Sequence, residues 1–216
     1  MTNSHPAASD PAAAMSCEDA LAVFAAFRTD RQIVISNMTT ARIWPSFSRH
    51  PLDFHYLSST MGGAIPLGLG IALARPDFEV VVLSGDGSLL MNLGCLATIR
   101  AAGVTNLTIL LLDNGLYEVT GGQTTPGRLA RLDYSSVARA FGFPETARFD
   151  DCSAWRTYLQ SPETEIGPHF LTLVVRPVSA DTPRCTKSQV DSELRRLRAL
   201  IAETGSSDQP PRVSVP

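Results

Sequence analysis

Two short stretches carry residue types that could do chemistry together. Gly85-Asp86-Gly87-Ser88 sets one carboxylate between two glycines and ahead of a hydroxyl. Glycines let a backbone turn sharply and come close to a ligand. A helix beginning at such a turn points free N–H groups at that ligand and favours an anion. A carboxylate facing a phosphate repels it unless a divalent cation lies between them, so the stretch suits a cation–phosphate group. Taken alone it is equally a tight turn with Asp86 as a helix cap. Between Gly87 and the second stretch, Asp113-Asn114-Gly115, lie 25 residues, enough for one helix and a returning strand. Asn114 can then bring a neutral oxygen beside the Asp86 carboxylate. Mg²⁺ asks for octahedral oxygen ligation and combines few protein groups with substrate phosphates. Asp-Asn-Gly, too, reads as an ordinary turn when met by itself.

Other nucleotide and catalytic signatures fit poorly. GxxxxGK[ST] is absent, so there is no P-loop. Gly68-Leu69-Gly70 runs on as Ile71-Ala72-Leu73 and lacks a preceding strand, so it is not a dinucleotide fingerprint. No GxSxG elbow or Ser/His/Asp order occurs. His5, His50, His55 and His169 are scattered without zinc spacing.

The elements that must position the two stretches follow from pattern. Ser16 caps an expected helix over 17–27, with Glu18 and Asp19 in its first turn, where the helix dipole favours acids. Residues 32–36 read as a short buried strand, followed by a Thr/Ser-rich loop that holds Arg42, Trp44, His50 and His55. Small residues over 61–74 suit a helix lying close on other backbone. Residues 79–84 and 106–112 are continuous apolar strands, as expected when both faces are covered. Between them the spacing predicts one helix over 89–102, stopped by Gly103. Beyond, helices are expected over 134–141 and 153–160, strands over 146–149 and 169–176, and a final amphipathic helix through Val190, Leu194, Leu197 and Ile201. Alternating apolar strands and helices predict an α/β fold, a doubly wound, mostly parallel sheet with helices on both faces. Ligands of such sheets sit at the carboxyl ends of the strands, where Ser36, Gly85–Ser88 and Asp113–Leu116 fall.

Composition narrows the function classes. With 18 basic against 21 acidic residues and a net charge of −3, the chain lacks the footprint of a nucleic-acid binder. No apolar run approaches the roughly 18 residues of a membrane helix, and residues 1–14 do not read as a secretory signal. Cys17, Cys95, Cys152 and Cys185 form no CxxC, so reduced thiols and a cytoplasmic setting are expected. Residues 1–15 and 205–216, rich in Ala, Pro and Ser or in Gly, Ser and Pro, are expected to be a disordered lead-in and tail around one domain over 16–204.

Together Gly85-Asp86-Gly87 and Asp113-Asn114 resemble the diphosphate-binding domain of thiamine diphosphate enzymes, whose motif is GDG followed by two Asn about 25–30 residues on. The first Asn stands as Asp113 here; the second is intact. The resemblance covers about 33–175. It implies that Asp86 and the Asn114 side chain bind Mg²⁺, with the Leu116 carbonyl as third ligand. It implies that Gly85 to Ser88 form the cofactor-binding turn, in which Gly87 and Ser88 give backbone N–H bonds to the diphosphate, and that Thr39 touches it. Ser59-Thr60-Met61-Gly62 resembles the strip beneath the thiazolium. The Ser59 carbonyl would accept from the 4′-amino group, and Met61 would be the wedge that keeps the cofactor bent. A plain core methionine is an equal reading of Met61.

Tyr117-Glu118-Val119-Thr120-Gly121-Gly122-Gln123 is similar to the TGGQ loop of sulfopyruvate and phosphonopyruvate decarboxylases. That resemblance implies decarboxylation of a small 2-oxo acid with a strong anion at C3, and makes Glu118, Thr120 and Gln123 the candidate catalytic residues. Glu118 could move a proton or be a hydrogen-bonding support. Arg42 could clamp the substrate anion, helped by His50 and His55, although such residues are more often solvated. Full-length members also carry a pyrimidine-binding domain with a catalytic glutamate. None is found here, so the expectation is a split enzyme: a partner subunit supplies that domain, in an α2β2 or larger assembly. A carboligase or acetolactate-synthase-like subunit is an alternative with the same cofactor. A non-catalytic scaffold or regulatory subunit is an alternative of another class, against which the intact Asp86, Gly87 and Asn114 speak.

Overall fold

The structure is a computed structural model and describes residues 14–57, 60–161, 166–178 and 187–203. The apolar runs form a parallel sheet: β1 (Met15–Ser16), β2 (Gln32–Asn37), β3 (Asp53–Tyr56), β4 (Glu79–Gly85), β5 (Leu107–Asp113), β8 (Glu145–Phe149) and β9 (His169–Arg176). Their order is β3-β2-β4-β5-β9, with β8 and then β1 along the outer edge of β9. A small antiparallel hairpin, β6 (Leu116–Tyr117) and β7 (Gln123–Thr124), stands apart.

Alternation along the strands sends side chains to two cores. Val80 and Val82 of β4, with Ile109 and Leu111 of β5, enter one face. There they meet α3 (Ala64–Ala74), α5 (Cys95–Ala102), α7 (Tyr134–Ala140) and α9 (Lys187–Glu203). Val81, Leu83, Leu110 and Leu112 enter the other, under α1 (Cys17–Phe27), α2 (Met38–Ile43) and α8 (Cys152–Gln160). Both faces are thus covered by helices, as the apolar strands require. Ser16 caps α1 by accepting from Asp19 N at 2.9 Å. Gly68 lets α3 lie on the sheet: a Cβ there would sit 2.4 Å from Val82 Cγ2.

Three expectations change. The span 89–102 is not one helix. It divides into α4 (Asp86–Leu90), a turn, and α5; α4 starts at the aspartate itself, so the turn and helix N-terminus coincide. The Thr/Ser-rich loop holds α2, a 3-10 turn (Trp44–Ser46) and the edge strand β3. The chain past Asn114 is the β6–β7 hairpin followed by α6 (Pro126–Leu129) rather than plain loop. Of the expected lead-in, Ala14 and Met15 are buried, and Met15–Ser16 pairs with Val175–Arg176; residues 1–13 and the tail over 205–216 lie outside the described residues. Cys17, Cys95 and Cys152 are free thiols; Cys185 lies outside the described residues.

β2 has β3 on one side and β4 on the other. After β3 the chain crosses back over β2, so the winding direction reverses there. The carboxyl ends of β2, β4 and β5 open around that reversal, the place where doubly wound sheets bind ligands.

Candidate functional site

An open cleft lies at these strand ends. Asn37, Met38, Thr39 and Thr40 line it after β2; Gly85, Asp86, Gly87 and Ser88 after β4; Asn114, Leu116, Tyr117, Glu118 and Val119 after β5. Met61 reaches it from the segment before α3, and Cys17 and Val175 complete the lining. Of the residues expected from sequence, Thr39, Met61, Gly85, Asp86, Gly87, Ser88, Asn114, Leu116 and Glu118 therefore meet around one space. Ser59 lies outside the described residues. Thr120 and Gln123 are exposed on the hairpin, within 3.3 Å of each other, and are not part of the lining.

Asp86 is 1% exposed. Burial pushes its carboxyl above the usual range, against the Thr125 hydroxyl and the Gly87 and Asn114 N–H groups, which favour the charged form. Asp113 is pushed up to about 7, first by burial and then by the Asp86 charge. Both carboxyls thus resist carrying charge without a compensating partner. Asn114 Oδ1 accepts from Leu116 N at 2.9 Å, which orients the amide oxygen and keeps a lone pair free.

Ser88 Oγ accepts from Asn37 Nδ2 at 3.1 Å and from Gly62 N at 3.0 Å. This ties the Met61 segment and β2 to the start of α4. Asn92 Nδ2 adds a bond to Gly62 O at 3.1 Å. Met38 holds φ 51° at the cleft wall, a left-handed conformation that costs a non-glycine residue about 1 kcal/mol or more. Such strain concentrates at functional sites.

The donor set fits Mg²⁺ with a diphosphate. Asp86 and the Asn114 amide are the few oxygen donors that such an ion combines with phosphate oxygens. A Cβ on Gly85 would meet nothing nearer than 3.9 Å, so the strand end faces free space. Asn37 Oδ1 and Glu118 Oε2 are buried without a hydrogen-bond partner, leaving polar atoms to be met by a ligand or water.

The family comparison agrees with this arrangement. The model of the thiamine pyrophosphate enzyme C-terminal TPP binding domain matches residues 33–171. The chain belongs to this family. It is 38% identical over 149 residues to a phosphonopyruvate decarboxylase of Streptomyces viridochromogenes, covering 68% of this chain and 36% of that one. It is 40% identical over 153 residues to the sulfopyruvate decarboxylase subunit beta of Methanothermobacter thermautotrophicus, covering 70% of this chain and 78% of that one. The crystal structure of benzoylformate decarboxylase from Polynucleobacter necessarius shares the fold at a TM-score of 0.60 and 18% identity, over 82% of this chain and 35% of that one. The chain thus spans about a third of the phosphonopyruvate decarboxylase it matches. The mostly parallel α/β sheet is the fold expected of this family.

The substrate-reading residues are placed differently from one another. His55 is 3% exposed; it shares a 2.8 Å hydrogen bond between Nδ1 and Ser36 Oγ, and its Nε2 lies 3.7 Å from Glu193 Oε1. Burial, only partly offset by Asp53, lowers its pKa to about 4, so it is neutral at pH 7. His50 packs into the turn before β3, its Nδ1 accepting from Leu52 N and its Nε2 3.3 Å from Asp30. Neither histidine lines the cleft. Arg42, half-buried in the last turn of α2, is likewise not among the residues that line the cleft.

Asn37 and Thr125 escaped sequence reasoning, which reads Tyr117 only as part of the segment that runs to Gln123. Asn37 ends β2 and could have been found by extending that strand one residue. Thr125 precedes Pro126, and a hydroxyl residue before Pro is a helix-start signal. Tyr117 carried no signal of its own, because its role depends on Gly87 lying beneath its ring.

Proposed function

We propose that this chain is the diphosphate-binding subunit of a thiamine diphosphate- and Mg²⁺-dependent decarboxylase acting on a small anionic 2-oxo acid of the sulfopyruvate or phosphonopyruvate kind. One observation carries the reading: Asp86, Ser88, Asn114, Leu116 and Met61 line a single cleft at the reversal of the sheet. The proposed domain runs over 16–204. Asp86, the Asn114 oxygen and the Leu116 carbonyl hold the metal. The Gly85–Ser88 turn and Thr39 receive the diphosphate at the N-terminus of α4. Met61 and Ser59 support the rings. When bound, thiamine diphosphate supplies the nucleophile and the electron sink that let CO₂ leave.

The chain's own groups do the rest. Glu118 Oε1 accepts from Val178 N at 2.7 Å while Oε2 is buried without a partner; one oxygen anchors the side chain and the other holds or passes a proton at the cleft wall. Thr120 and Gln123, on the exposed hairpin, contact substrate once a second subunit covers the cleft mouth. The second subunit brings the pyrimidine-binding domain and its catalytic glutamate, in an α2β2 or larger hetero-oligomer. The names of the beta-subunit relatives support this division of labour.

The test is calorimetric titration of thiamine diphosphate with Mg²⁺ into the full chain, alone and with the co-purified partner. Binding that tightens with the partner and disappears in Asp86→Ala, followed by CO₂ release from sulfopyruvate or phosphonopyruvate, is expected. Equal binding by Asp86→Ala would remove the metal assignment, and full affinity and turnover without a partner would remove the split-enzyme reading.

A further inference from the structure

We propose that Thr125 is the positioning residue of the metal site, fixing the rotation of the Asp86 carboxylate and keeping the two metal-bearing loops in register. The proposal rests on the metal reading above. Thr125 is fully buried. Its Oγ1 donates to Asp86 Oδ2 at 2.8 Å and accepts from Arg128 N at 3.3 Å. An ionised carboxylate can only accept and a backbone N–H can only donate, so the direction of the single hydroxyl proton is set by its neighbours. Oδ2 is thereby held by a side-chain donor, which fixes the rotation of the carboxylate beside the backbone N–H groups of the turn. Mg²⁺ tolerates little departure from octahedral geometry, so a carboxylate locked in rotation binds it better than one free to turn.

The same residue reaches the second loop through its backbone. Thr125 N donates to Gly115 O at 2.9 Å, one residue past Asn114. Thr125 also caps α6 and directly follows β7. One side chain and one amide therefore connect the Asp86 turn, the Asn114 turn and the base of the hairpin that carries Glu118. A bound metal would be held by the first two of these, and Thr125 joins both to the third.

The measurement is the Mg²⁺ concentration that half-saturates thiamine diphosphate binding, on the full chain with its co-purified partner, for wild type, Thr125→Val and Thr125→Ser. Val keeps the shape and loses the hydroxyl; Ser keeps the hydroxyl and loses the methyl. Removing a partner that orients a metal ligand costs 10- to 100-fold in metal affinity, so Thr125→Val should raise the Mg²⁺ requirement by that factor. Saturating Mg²⁺ should restore kcat, and Thr125→Ser should stay within a few-fold of wild type. Melting in EDTA separates a folding defect from a metal defect, and Thr125→Ala, which also lacks the hydroxyl, takes the place of Thr125→Val with the same expected outcome if Thr125→Val does not fold. An unchanged Mg²⁺ requirement in Thr125→Val, or a defect in Thr125→Ser as large as in Thr125→Val, overturns the proposal and leaves the function standing. Wild-type binding that needs no divalent ion removes the metal reading and this proposal together.

Discussion

Gly87 has no room for a side chain because Tyr117 lies across it: an added Cβ would stand 2.6 Å from Cδ1 and Cε1 of that ring. Gly87→Ala should therefore push Tyr117 toward the cleft and weaken thiamine diphosphate binding about tenfold, or about 1.4 kcal/mol. Titration of the variant beside wild type measures it, and unchanged affinity would mean the ring swings away at no cost. His55 offers a second test at this scale. Its folded pKa of about 4 lies below the unfolded value near 6.5, so the unfolded state binds the extra proton. Stability from this group is complete above about pH 6.5 and is lost as pH falls toward 4, by up to about 3 kcal/mol. Glu193, raised by burial, offsets part of this loss near the lower end. Urea unfolding between pH 7.5 and 5 should show a steeper decline for wild type than for His55→Asn; parallel curves would refute the assignment. The motif residues were legible because GDG and Asp-Asn need no partner to be noticed. Thr125 and Tyr117 act only through contacts made across the fold, Thr125 on Asp86 and Tyr117 on Gly87.

At the scale of elements, apolar continuity revealed β4, β5 and β9, and small residues marked α3 for close approach. Gly68→Ala places a methyl 2.4 Å from Val82 Cγ2. Overpacking of this kind costs about 1–3 kcal/mol, which chemical denaturation will report as a lower midpoint with an unaltered slope; an equal midpoint would mean that α3 shifts freely. The missed elements have physical reasons. β3 reads Asp53-Phe54-His55-Tyr56, too short and too polar to announce a strand. Asp53 is nonetheless buried, and its Oδ1 lies 3.0 Å from Arg28. The break between α4 and α5 falls at Met91–Gly94, where the apolar period continues although the backbone does not. Periodicity counts side chains and is blind to the Asn92 contact with Gly62 that bends the chain there.

For the whole molecule, the cleft is open and the hairpin beside it is exposed. Sedimentation of the chain with its partner should give two copies of each or more, strengthened by thiamine diphosphate and Mg²⁺; a chain that stays monomeric while binding the cofactor fully would contradict the hetero-oligomer. Among the described residues no helix is long and apolar enough to cross a membrane. The far border of the sheet is closed by other means. The outward N–H of His55 on β3 donates to Glu193 Oε2 at 3.3 Å, so α9 answers a backbone group that no strand pairs. An unanswered strand border is a template for a second chain. Helix α9 is thus a guard against self-templated stacking, and a version of the protein trimmed before Lys187 should cluster through β3 in light scattering even while its cofactor cleft is whole.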